Sequence, residues 1–247
     1  MPKAPDAFCL TPTAEQIIHV LEGTQRHSDI GVVVGSPGVG KTTAFRHYVE
    51  KPISTLNGRR TAFLVQMTQD EEADRPNRML LRIAEKVGLY VLTPSEACEQ
   101  LTRRLGQGDL LIIDEAQFLR DSGLEMLRGL HDQGHFGLVL GGNPTVITRG
   151  NKVRQARMGH FFSRIGYRCP SLDEPLPEDA DALFDHHQVQ GARTRMILRR
   201  YITPNDGLRQ AFEKIVSTAH ELAGEGNPIQ LTHVEKAIVT RGLPIRI

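Results

Sequence analysis

The chain has no tryptophan, and only 5% of its 247 residues are aromatic. That argues against an aromatic platform on which nucleic-acid bases stack. Cysteine is nearly as scarce. Cys9, Cys98 and Cys169 lie far apart without C-x-x-C spacing, which argues against a disulfide framework or a zinc site. They read as buried thiols in a reducing, cytoplasmic setting. No apolar run approaches the roughly 18 residues of a membrane span, and MPKAPDAFCL lacks the apolar core of a secretory signal. Charge of either sign is almost balanced, 30 Lys and Arg against 29 Asp and Glu, so no global basic surface marks a nucleic-acid partner. The length allows one α/β domain, or one domain with a small appendage.

What is present starts with Gly35-Ser36-Pro37-Gly38-Val39-Gly40-Lys41-Thr42, which fits the phosphate-binding pattern G-x-x-x-x-G-K-[ST]. The apolar run Ile30–Val34 before it reads as a buried strand, and the segment from Thr42 to Glu50 as a helix. Glycines let backbone N–H groups approach phosphate oxygens, and a helix N-terminus adds partial positive charge. Lys41 is placed to reach the β- and γ-phosphates of a nucleotide, and the Thr42 hydroxyl to hold Mg²⁺. The loop residues from Gly35 to Thr42, with Thr43 after them, are the candidate nucleotide contacts.

A second apolar strand, Leu110–Ile113, ends in Asp114-Glu115. Ligands in open α/β sheets bind at the C-terminal edge of the strands. This placement suits Asp114 to the Mg²⁺ shell and Glu115 to orienting or deprotonating an attacking water. The next strand, Phe136–Leu140, runs into Gly141-Gly142-Asn143-Pro144. In a parallel sheet that tip lies beside the two carboxylates, so Asn143 is a candidate contact to the γ-phosphate or the water.

Elsewhere the reading is mostly helical. Thr13 with Gln16 predicts a capping box on a first helix carrying Ile17, Ile18 and Leu21. The segment 52–60, with Asn57-Gly58, reads as a loop, and 61–67 as a strand. Met79, Leu80, Ile83, Ala84 and Val87 mark one helix face, Ala97, Leu101 and Leu105 another, and Leu124, Leu127 and Leu130 a third. Between 145 and 170 stand Arg149, Lys152, Arg154, Arg157, Arg164 and Arg168 with no acid. Between 171 and 190 stand Asp173, Glu174, Glu178, Asp179, Asp181 and Asp185 with no Lys or Arg. Three readings fit these blocks equally: solvated surfaces of one molecule, a basic face for DNA phosphates, or complementary faces of neighbouring subunits. The tail from about 178 has a helical pattern, with Leu208, Ala211, Phe212, Ile215, Val216 and Ala219 on one face. Thr232 with Glu235 is expected to cap a last helix. His186-His187 has no metal-ligand spacing around it.

The order of these motifs resembles that of AAA+ ATPases. The wording of GSPGVGKT, LLIIDEAQFL, GLVLGGNP and FFSRIGYR resembles the transposition branch of the Mu B and TniB type, from about residue 10 to the C-terminus. That resemblance implies a P-loop NTPase with a parallel five-stranded sheet sandwiched by helices, in a core spanning 1–176 and a helical lid spanning 177–247. It implies ATP and Mg²⁺ as ligands. It places Asn143 at the sensor-1 position and Arg164 at the arginine finger, with Arg168 in reserve. Arg209, in Gly207-Leu208-Arg209, matches the sensor-2 arginine. The Mu B type carries a DNA-binding region before its ATPase domain, whereas too few residues precede Ile30 here for a helix-turn-helix domain. DNA contact is then expected from the ATPase domain, through Lys152, Arg154, Arg157, Arg103 or Arg104.

The expected function is an ATP-dependent, oligomerising, sequence-nonspecific binder of duplex DNA that recruits a transposase. An ExeA-like secretion ATPase is the first alternative, though no membrane segment accompanies the motifs. A nucleotide-gated protein adaptor is the second. A small-molecule kinase fits poorly, because Glu115 after the Walker B aspartate suits water activation.

Overall fold

Ile30–Val34 (β1), Leu110–Asp114 (β5) and Gly137–Gly142 (β6) show no alternation of apolar and polar residues, and each is buried along its whole length. Strands covered on both faces require that pattern. A computed structural model describes residues 8–50, 53–55, 58–68, 76–144, 159–203 and 206–246. It joins the three runs at the centre of a parallel sheet, with Ala62–Gln66 (β4) and Ile165–Arg168 (β7) at the edges, in the order β4-β5-β6-β1-β7. The register aligns the C-terminal ends. Gln66 faces Asp114, Ile113 faces Leu140, and Val34 faces Gly142. The Gly142–Asn143 tip thus emerges between the C-terminal end of β1 and the acidic pair after β5.

The chain divides into two compact units, and each has its own core. One comprises Gln16–Gly35 and Lys41–Ser171 and holds the sheet. Its core gathers the β1, β5 and β6 side chains with those of Pro76–Val87 (α3), Pro94–Arg104 (α4) and Asp121–Gly134 (α5). The predicted faces of all three helices are inward: Met79 and Ile83, Ala97 and Leu101, Leu124 and Leu127 are each at most 2% exposed. Lys41–Glu50 (α2) presses Phe45 so tightly on β6 that a Cβ at Gly141 would lie 2.4 Å from its ring. The Gln25 amide, buried beside α2, is satisfied at both ends. Gln25 donates to the Gly108 carbonyl at 2.8 Å and accepts from the Tyr48 hydroxyl at 2.5 Å.

The other unit comprises Met1–Glu15, Ser36–Gly40 and Leu172–Ile247. Its core is Phe184, Leu198, Tyr201, Ala211, Phe212, Ile215, Ala219, Val234 and Ile238. All but Tyr201 come from the helices Pro177–His186, Ala192–Arg199, Gln210–Val216 with Ser217–Ala223, and Leu231–Thr240. The predicted apolar face is buried, but Gln210–Val216 is wound as a π-helix. The acidic block finds partners inside this unit. Asp185 pairs with Arg195 at 2.6 Å, and Asp181 pairs with Arg199. Part of the charge alternation in the sequence is therefore intramolecular, between the 171–190 segment and the helix after it.

Four local expectations are corrected. The first helix starts at Pro12, and its cap is the Thr11 hydroxyl, accepting from the Ala14 N–H at 3.2 Å. Thr13 cannot serve as the cap, because its hydroxyl and N–H are both held by Asp179. The segment read as a loop contains an antiparallel hairpin, Ile53–Thr55 (β2) with Gly58–Arg60 (β3). The last helix is closed by the Gln230 N–H donating to His233 Nδ1 at 3.2 Å, not by Thr232 and Glu235. Strand β7 was not foreseen, since its exposure alternates at a sheet edge and its sequence has little apolar content. The cysteines are free, but only Cys169 is buried; burial pushes its thiol up to about 11, so it stays protonated.

Candidate nucleotide site

The sheet unit contains the charged candidates. Lys41 opens α2, and its ammonium donates to the Gly35 carbonyl at 2.8 Å. Burial lowers the Lys41 pKa, while the carboxylates of Asp114 and Glu115 pull it back up. Thr42, next on the helix, donates its hydroxyl to Asp114 Oδ2 at 2.7 Å. Asp114 is 1% exposed, and its other oxygen accepts from the Glu115 N–H at 2.9 Å. The Gly35 N–H donates to the Gly142 carbonyl at 3.0 Å, tying the start of the loop to the β6 tip.

Glu115 has φ 58° and ψ 36°, the left-handed region that non-glycine residues seldom occupy. The chain turns there into a short 3₁₀ segment, Ala116–Phe118. Gln117 on that segment donates from its amide to Glu115 Oε2, and its oxygen accepts from the Asn143 N–H at 3.2 Å. The sequence patterns singled out Glu115 and Asn143 and passed over Gln117. Its available signal was a polar residue closely following a buried strand.

In the helical unit, the loop residues Ser36–Gly40 meet the segment 206–208. The Ser36 N–H donates to the Leu172 carbonyl at 2.8 Å, and the Leu208 N–H donates to the Gly38 carbonyl at 3.0 Å. Gly38 has φ 76°, and a Cβ there would lie 2.1 Å from the Asp206 carbonyl oxygen. Only glycine fits on both counts. Gly40 also has a positive φ, 96°. Arg209 follows directly after Leu208 and pairs with Glu213 at 3.0 Å, both exposed.

The remaining predicted residues stand apart from this set. Arg164 is half-exposed and ion-pairs with Asp132 of α5. Arg168 reaches the Phe162 carbonyl at 3.5 Å. Arg103 pairs with Glu99 one turn away, and Arg104 lies 3.9 Å from Asp109 and over the Phe63 ring. Lys152, Arg154 and Arg157 lie outside the described residues. Pro37, Val39 and Thr43 continue the loop and helix as expected, with Val39 buried.

A parallel sheet of this strand order, with a P-loop after its first strand and an acidic pair after a neighbouring one, defines a P-loop NTPase of the AAA+ class. The AAA domain family matches residues 24–149. Solved structures of similar fold include the Thermotoga maritima RuvB Holliday junction branch migration motor. It has a TM-score of 0.54 and 16% identity, over 92% of this chain and 68% of that one. Drosophila ORC bound to DNA gives a TM-score of 0.52 and 17% identity, over 94% and 60%. The ATP-dependent target DNA activator B of Escherichia phage Mu is 30% identical over 98% of this chain and 76% of its own length. The Mu-like prophage FluMu DNA transposition protein B of Haemophilus influenzae is 32% identical over 81% and 68%. The chain belongs to this family of Mu-type B proteins, AAA+ ATPases of DNA transposition. Among the described residues, no helix is long and apolar enough to cross a membrane.

Proposed function

We propose that this protein binds ATP, assembles as a homo-oligomer on duplex DNA, and presents that DNA to a transposase. The observation that carries the reading is the kinship to the phage Mu activator over 98% of the chain. The arrangement of Lys41, Thr42, Asp114 and Glu115 supports its ATP-dependent half. The loop N–H groups and Lys41 neutralise the phosphates. Thr42 and Asp114 offer a hydroxyl and a buried carboxylate 2.7 Å apart, an oxygen donor pair that fits Mg²⁺. Thr42 and Asp114 would hold a magnesium ion there, and it would supply charge neutralisation to the phosphates. Glu115 orients the attacking water and takes its proton, and Asn143 holds the water or the γ-phosphate from the neighbouring strand tip.

Arg164 completes the site of an adjacent subunit. Its pairing with Asp132 is a surface contact, and such pairs exchange at little cost. A guanidinium delivered across the interface stabilises the γ-phosphate charge, with Arg168 as the reserve. The helical unit acts as a lid. Arg209 follows the residue hydrogen-bonded to Gly38, which supports a role in reporting nucleotide state. The interface is heterologous, so repeated copies form a ring or a filament. Lys152, Arg154 and Arg157, with Arg103 and Arg104, contact DNA phosphates. A few cations per copy, repeated along an assembly, give affinity without sequence preference.

Fluorescence anisotropy on a labelled duplex tests this, with ATP, ADP or no nucleotide at two salt concentrations, followed by imaging of the same samples. Binding that needs ATP and weakens with salt, together with ordered assemblies, is the expected result. Absence of binding in every nucleotide state refutes the DNA half and leaves an ATP-gated adaptor.

A further inference from the structure

Gln117 sits where the two catalytic candidates of the sheet edge come closest to a shared partner. A carboxamide has a donor end and an acceptor end, and here each faces its complement. The NH₂ end meets the Glu115 carboxylate, which only accepts, and the oxygen meets the Asn143 N–H, which only donates. The flipped amide would set oxygen against carboxylate and N–H against N–H, so the partners themselves determine its orientation. The 3₁₀ turn places Gln117 two residues after Glu115, and the left-handed backbone at Glu115 starts that turn. The Phe118 N–H donating to the Glu115 carbonyl at 3.0 Å closes it. The bridge therefore spans two elements, the turn after β5 and the tip of β6, and that tip is tied to the P-loop through Gly142 and Gly35.

We propose that Gln117 is a positioning residue for ATP hydrolysis: its carboxamide ties the Glu115 carboxylate to the Asn143 strand tip, so the water-activating group and the phosphate-sensing tip are set as one unit. The inference rests on the reading of Glu115 as the group that activates water. A carboxylate on a strained turn has two freely rotating oxygens unless something holds one of them, and a misdirected base loses much of its effect. Holding Glu115 from the strand that carries Asn143 makes its aim depend on the same strand tip that meets the γ-phosphate. Leucine at 117 would keep the volume and hold neither group. Glutamate would keep the acceptor for the Asn143 N–H, lose the donor and add a like charge beside Glu115.

The test is steady-state ATP turnover by the full chain, with melting temperature and fluorescent-nucleotide affinity measured in parallel. Gln117→Leu lowers kcat on the order of tenfold, and Gln117→Glu lowers it further. KM and nucleotide affinity stay within about twofold, because the residue acts on the chemical step and not on binding. Added to Glu115→Gln, Gln117→Leu causes no further loss, since its effect passes through Glu115. Turnover within about twofold of wild type in both variants overturns the proposal, as does a loss carried by KM or an additive loss in the double variant. Faster turnover in Gln117→Leu also overturns it, because the amide would then be restraining Glu115. The underlying reading fails differently: Glu115→Gln would keep turning over ATP, or Lys41→Ala would hydrolyse normally, whatever residue stood at 117.

Discussion

Asp114 and Asp179 are both buried aspartates, 1% and 0% exposed, and each accepts from a threonine hydroxyl. They do different work. Asp179, in the helical unit, is closed off by donors. Its Oδ1 takes the Thr13 N–H at 2.8 Å, and its Oδ2 takes the Thr13 hydroxyl at 2.5 Å and the Leu176 N–H at 2.9 Å. Two of those donors are backbone groups at helix starts, so one carboxylate holds two helix N-termini. Asp114, in the sheet unit, takes the Thr42 hydroxyl and one backbone N–H, and its charge pulls the Lys41 pKa upward. Its remaining lone pairs suit a cation. Burial of an acid is thus not the mark of a functional site; the kind of donor around it is.

The contrast breaks most visibly in activity. Lys41→Ala should abolish ATP turnover, by more than about a hundredfold, and Asp114→Asn should do the same with melting temperature nearly unchanged. A normal rate in either variant would remove the residue from the mechanism. Arg164→Ala should cost on the order of a thousandfold in turnover while each subunit still binds nucleotide. Mixing it with the Glu115→Gln protein should restore activity, because each copy then supplies what the other lacks. No recovery would return Arg164 to its Asp132 pair as a local contact.

Asp179→Ala should leave the nucleotide chemistry intact but cost roughly 3 kcal/mol of stability, since it strands two buried donors and one half-buried donor at once. Chemical denaturation measures it, and a loss under about 1 kcal/mol would mean water replaces the carboxylate. The smallest effect concerns acid. The His187 ring lies tilted against Phe212, and burial lowers its pKa to about 4, helped by His186 and His220. In the unfolded chain a histidine protonates near 6.5. The native state binds fewer protons between those values, so the stability His187 contributes is present above about 6.5 and falls as pH drops towards 4. Thermal melts across that window should steepen for wild type, and His187→Phe should flatten them. Equal slopes would show another group responsible.

Much of the site was legible because its chemistry is local. Eight consecutive residues make the loop, and the acidic pair directly follows a continuous apolar run. The strand-tip argument for Asn143 needed only parallel pairing of neighbouring strands, and the β1-β6 and β5-β6 registers supply it. The misreadings have a common cause. Thr13 and Thr232 are each at sound capping positions by spacing, but Thr13 is taken by a carboxylate 166 residues away. Tertiary competition for one hydroxyl is invisible to a pattern of neighbours. Strand β7 is weak in propensity and exists because β1 offers it an edge.

Sequence alone determined the class of this protein: a glycine-rich loop between strand and helix, an aspartate-glutamate pair after an apolar run, and apolar faces with helical spacing. Those are short-range consequences of backbone sterics and side-chain burial. Tertiary structure alone decided which carboxylate is saturated and which is open, which helix the acidic block neutralises, and that one glutamine reaches both Glu115 and Asn143. Each of those depends on groups distant in the chain meeting within hydrogen-bond range, and such meetings are set by the packing of whole elements.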